Sequence, residues 1–133
     1  MIKKLIAISI LAFVSIEALG QGHIAREING NWSGKGPWDI DITFIVLDVL
    51  DGVVAADLVI GNQDCSGGLT GLGQLRDNVL TLTPYLKEED NQKCTVRVAF
   101  ERSGKLGFIS ESQCGEYHGK ACEFSGKIYR TRR

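Results

Sequence analysis

From about residue 30 onward, apolar and polar residues alternate with a period of two, and no stretch repeats at the helical spacing of 3.6. The clearest run is Cys94 to Arg102, where Cys94, Val96, Val98 and Phe100 alternate with Thr95, Arg97 and Glu101. Such a segment has one apolar edge and one wet edge, so it is satisfied only as a strand with a single buried face. Ile40, Ile42, Phe44 and Val46 repeat the pattern within Asp39 to Leu50, and Val54, Ala56, Leu58 and Ile60 repeat it after the Asp51-Gly52 hairpin turn. A glycine-rich stretch with Gly67, Gly68, Gly71 and Gly73 predicts one short, glycine-weakened strand around Leu69 to Leu75. Further strands are read at Gly30 to Gly34, Val79 to Thr83, Lys105 to Ser112 and Glu123 to Arg130. Leu80, Leu82, Val96, Val98, Phe100, Leu106 and Phe108 are assigned to the interior.

That makes about eight short strands joined mostly by tight turns, with no helix. An antiparallel meander of this kind must hide its edges, by closing into an eight-stranded barrel or by folding into a two-sheet sandwich. The fold class expected is therefore all-β, with two disulfides and a single domain over 21–133.

The first 20 residues read differently. Lys3 and Lys4 precede an apolar run from Leu5 to Ile16, and Ala18 and Gly20 have the small-residue spacing of a cleavage site. The run is too short to span a bilayer. We read 1–20 as a signal peptide, with Gln21 to Asn29 as a loose arm. The protein is then periplasmic or secreted, with no membrane span after cleavage. Removing Lys3, Lys4 and Glu17 leaves 13 basic and 15 acidic residues, a net charge near −2. That balance gives no overall pull toward nucleic acid.

Four cysteines follow the cut: Cys65, Cys94, Cys114 and Cys122. An even number in a small exported chain predicts two disulfides. Of three pairings, Cys65–Cys94 with Cys114–Cys122 is favoured, because the second bridge would close a short hairpin. Zinc is disfavoured by the spacing, which contains no CxxC. No pattern calls for a metal or any other cofactor.

Gly30-Asn31-Trp32 on the first strand and Arg130 on the last resemble a feature of lipocalin and avidin-like barrels. There a first-strand tryptophan covers the barrel base against a late basic residue, and the resemblance implies that a guanidinium stacks on the indole face here. Ser125-Gly126-Lys127-Ile128-Tyr129 fits SGxxY and resembles periplasmic inhibitors of C-type lysozyme, which are small exported β-barrels with disulfides. That resemblance implies that Ser125 and Tyr129 meet a lysozyme cleft. In this chain the motif lies in the last strand, later than in that family.

The segment from Cys114 to Cys122 carries Glu116, Tyr117, His118 and Lys120, with Gly115 and Gly119 to supply the bends. A tethered loop with a tyrosine suits insertion into a partner's cleft; a structural hairpin is the plainer reading. His118 beside Glu116 lacks any nucleophile motif, so no catalytic residue and no enzyme activity are assigned. Glu88-Glu89-Asp90 reads as a solvated acidic loop, His23 as part of the arm, and Lys127, Arg130, Arg132 and Arg133 as a short basic tail. Trp38, after Pro37, is placed at the core or the rim. The function expected is a non-enzymatic binding protein acting on a protein partner through exposed loops, in particular as an inhibitor of a cell-wall hydrolase such as lysozyme. The alternative is a small-molecule carrier using the barrel interior; a small hydrolase comes third.

Overall fold

A computed structural model describes residues 27–50, 52–85 and 93–131, and for 48–50 the backbone alone. The readings made for 1–20, His23, Glu88-Glu89-Asp90, Arg132 and Arg133 lie outside those residues. The chain forms a closed eight-stranded antiparallel barrel in simple meander order. Its strands are β1 (Gly30–Lys35), β2 (Asp41–Leu50), β3 (Val53–Gly61), β4 (Ser66–Arg76), β5 (Val79–Pro84), β6 (Thr95–Phe100), β7 (Leu106–Ser112) and β8 (Gly126–Arg130). The seam is made by β1 and β8, with Trp32 opposite Arg130 and Lys35 opposite Lys127. Closure removes every sheet edge, which settles the choice between barrel and sandwich. Among the described residues, no helix is long and apolar enough to cross a membrane.

The alternation predicted for β2, β3, β5 and β6 holds. Phe44, Val46, Val54, Leu58, Leu80, Leu82, Val96 and Val98 are all fully buried. Asp77 and Asn78 turn β4 into β5 with φ of 50° and 62°. Both residue types tolerate that left-handed region, so the pair makes a tight hairpin.

Four expectations are corrected. The glycine-rich strand is not short: β4 runs for 11 residues. Its inward positions are Gly67, Leu69, Gly71, Gly73 and Leu75, and the partner strand crosses so closely that a Cβ at Gly73 would run into the carbonyl of Thr81. In β7 the register is opposite to the one assigned. Gly107 and Ile109 face inward, Phe108 is 45% exposed and Leu106 is only half-buried. The cause is space. The interior beside β7 is already filled by Phe100 and Ile128, each within 3.2 Å of where a Gly107 Cβ would stand. A one-residue slip exchanges the two faces of a strand, and here the smaller residue takes the inner one. Short helical pieces also occur among the described residues, including a 3-10 turn at Pro37–Asp39 and the single turn α1 (Gly115–His118).

The fourth correction concerns the arm. Its last described residues lie beneath the barrel: Ile28 is buried, and its carbonyl accepts a hydrogen bond from Trp32 Nε1 at 2.9 Å. The Arg130 guanidinium sits 5.3 Å from the Trp32 ring centroid and donates from Nη2 to Asn29 O at 2.6 Å. Trp32 also packs on Phe100, centroid to centroid 5.0 Å. Indole, guanidinium and arm together close this end.

Candidate functional site

In a meander, alternate connections lie at the same end of the barrel. The end opposite Trp32 therefore carries residues 36–40, 62–65 and 113–125, together with the described part of the β5–β6 connection. Both disulfides are at this end, but their pairing differs from the one expected. The bridges are Cys65–Cys122 and Cys94–Cys114. The segment 114–122 is thus not a loop closed on itself. One of its ends is tied to the start of β6 and the other to the start of β4. Two bridges in one small domain are consistent with an oxidising compartment.

α1 rests on β4 where that strand has no side chain. A Cβ at Gly67 would stand 2.5 Å from His118 Cβ and 2.9 Å from Tyr117 O. The His118 side chain points inward and is only 5% exposed. Its Nε2 lies 2.8 and 2.9 Å from the two oxygens of Glu111, and its Nδ1 lies 2.6 Å from Gly119 O. Glu111 Oε2 also accepts the backbone N–H of Phe124 at 2.7 Å. The His118 ring meets Phe124 edge-on at 5.0 Å. Glu111 therefore ties α1 and the entry to β8 back onto β7. Its role was missed because the expected register of β7 turned it outward.

The predicted contact residues do not converge on one surface. Glu116 and Lys120 are exposed, Tyr117 packs half-buried against the core, and Ser125 is half-buried. Tyr129 is 51% exposed, not at the loop end but on the outer wall. There it has a neighbour that sequence reading did not pair with it. Phe108 lies opposite Lys127 in the β7–β8 register, and the Lys127 ammonium sits 5.7 Å from the Phe108 ring centroid and 5.5 Å from that of Tyr129. Such placement over ring faces is a favourable cation–π arrangement. Among the described residues, Lys127 has no carboxylate partner. A shallow concavity of about 780 Å³ adjoins it, lined by Ser33, Lys35, Asp41, Thr43, Lys127 and Tyr129.

Lys35 bridges this wall to the rim above. Its Nζ lies 2.7 Å from Asp41 and 2.9 Å from Asp39. Hydrogen bonding to Asp41, then to Asp39, raises its pKa above the ordinary lysine value. Beyond it the rim carries Trp38, 72% exposed. Among the described residues, no group of three or more His, Cys, Asp or Glu side chains is placed to hold a metal ion. Comparison with protein-family models, characterised proteins and solved structures finds no match to this chain.

Proposed function

We propose that this protein is an exported, non-enzymatic binding protein that engages a protein partner through its outer wall at Phe108, Lys127 and Tyr129. The observation that carries the reading is the Lys127 ammonium placed over two exposed aromatic rings, with no carboxylate partner among the described residues. Aromatic side chains are strong interface anchors, because they bring large contact area with few torsions to freeze. The filled interior supports the same reading over that of a carrier. Trp32, Phe44, Leu58, Leu80 and Leu82 are fully buried and occupy the space an eight-stranded barrel encloses.

The partner we favour is a glycan-cleaving hydrolase of the cell wall, such as a lysozyme. The clefts of these enzymes carry a pair of carboxylates beside subsites for sugar rings. An ammonium flanked by flat rings is complementary to both features. The resemblance of Ser125 to Tyr129 to the SGxxY of lysozyme inhibitors points the same way. The test is turbidity clearing of bacterial cell walls by several lysozyme types, with and without the purified protein. Inhibition is expected, and Lys127→Ala or Tyr129→Ala should weaken it by at least about tenfold. If no lysozyme is inhibited, the hydrolase reading fails. If inhibition survives both substitutions, the wall is not the contact face.

A further inference from the structure

The β1–β2 connection holds the most exposed of the described aromatic side chains, Trp38, while Trp32 a few residues earlier is fully buried. The backbone accounts for the difference. Trp38 and Asp39 have φ of 56° and 60°, a left-handed pair that the aspartate tolerates and the tryptophan disfavours. The turn is held by Gly36 N–H on Ile40 O at 2.9 Å and by Asn62 Nδ2 donating to Trp38 O at 3.2 Å. Asn62 is itself fixed, since its Oδ1 accepts from the N–H groups of Asp64 and Cys65 at 2.8 and 3.0 Å, and Cys65 is bridged to Cys122. A braced rim thus presents an indole to solvent.

Beside the indole lies a concavity of about 440 Å³ lined by Trp38, Asp39, Asp41, Asn62, Gln63 and Asp64. Its chemistry is specific. An apolar plate adjoins planar carboxylate and carboxamide groups, with the Lys35 ammonium at the edge as a donor. Lys35 already spans Asp39 and Asp41, so a cationic ligand would have to displace it. A neutral ring with an apolar C–H face and hydroxyls around its rim meets no such obstacle. Such a ring can lay its flat face on the indole while its hydroxyls reach the polar groups of Gln63 and Asp64 that line the same concavity. We propose that this rim is a glycan-binding site that takes a pyranose sugar unit stacked on Trp38. It adjoins the aromatic wall through Lys35 and Asp41 but stands without the hydrolase reading.

The test is calorimetric titration of the purified protein with chitopentaose, cellopentaose and laminaripentaose, alongside tryptophan emission. At least one sugar is expected to bind saturably and to shift the emission of the exposed indole. Trp38→Ala should weaken that binding by about tenfold or more, and Asp64→Ala several-fold, with the urea midpoint unchanged in both. Trp38→Phe, which keeps a ring, should retain part of the affinity and guards against a merely structural effect. Saturable binding that Trp38→Ala leaves intact overturns the proposal, as does the absence of binding to all three sugars. N-acetylargininamide is the control for a cation site. If it binds through Trp38 where the sugars do not, the rim recognises basic groups and the glycan assignment falls.

Discussion

Removing the Cys65–Cys122 bridge should cost this protein more stability than removing Cys94–Cys114. The first closes a loop across 57 positions of sequence and the second across 20. In the chain-entropy description, a bridge stabilises by restricting the unfolded chain, and the effect grows with the logarithm of loop length. That gives about 4 kcal/mol for the longer loop and about 3 kcal/mol for the shorter. Urea unfolding of Cys65→Ala/Cys122→Ala and Cys94→Ala/Cys114→Ala should show both midpoints lowered, the first by more. The pairing itself can be read by trypsin under non-reducing conditions. Lys93, Arg97, Lys105, Lys120 and Lys127 place all four cysteines on different peptides. Peptide 94–97 should be found linked to 106–120, and 121–127 linked to the peptide containing Cys65. A crosslink between 106–120 and 121–127 would mean that 114–122 is a self-closed loop, and the picture of a segment tied to two strands would be lost. A reversed order of midpoints would show that native-state effects outweigh loop entropy here.

Three further outcomes follow from the packing. Phe108→Ser should change stability by no more than about 0.5 kcal/mol, as at an exposed site, whereas Ile109→Ser should cost about 3 kcal/mol or more by urea unfolding; equal costs would contradict the register of β7. Glu111→Ala orphans two donors, His118 Nε2 and the Phe124 N–H, at about 1–3 kcal/mol each. Hydrogen exchange should then show the Phe124 amide losing protection, and unchanged protection there would remove Glu111 from its tethering role. Trp32→Ala empties the closed end of the barrel and should cost about 3–5 kcal/mol, with a loss under 1 kcal/mol on the same urea curve showing that the arm and Arg130 close that end without it.

Strand order and the faces of β2, β3, β5 and β6 were legible because one face of each strand carries an unbroken apolar run while the other is interrupted by polar residues such as Asp41, Thr43, Asp57, Thr81 and Arg97. In β7 both choices offered apolar residues, Leu106 and Phe108 against Gly107 and Ile109. The strand's own sequence favours the larger pair, and the correct answer depends on Phe100 and Ile128 from other strands. That single slip had a consequence at the site, since it turned Glu111 outward and hid its bond to His118. In β4, glycines suggested weakness where they mark close approach by β5 and α1. The disulfide pairing was not legible from spacing, because proximity in a barrel follows strand ends rather than sequence distance. Cys65, Cys94, Cys114 and Cys122 all lie at one end, so every pairing satisfies the topology and side-chain placement decides.

Lys35 joins the two proposed surfaces, and this makes their independence testable. It lines the wall concavity beside Lys127 and Tyr129, and its ammonium holds Asp39 and Asp41 of the rim. Its pKa is raised in the folded protein, so the pairing is fully present below the ordinary lysine value and is lost only as pH rises through the higher folded one. The contact thus persists throughout the neutral range, but it is exposed, and salt screens it. Lys35→Met should leave the urea midpoint unchanged, because exposed pairs add little to stability. It frees two carboxylates where wall and rim meet. Sugar affinity at Trp38 should then fall through the loss of a donor and of the fixed Asp41, and hydrolase inhibition should fall through the loss of positive charge beside Lys127. If both fall together and high salt reproduces the effect in the wild type, the surfaces are coupled through one ion pair. If one changes while the other does not, Lys35 serves only that surface.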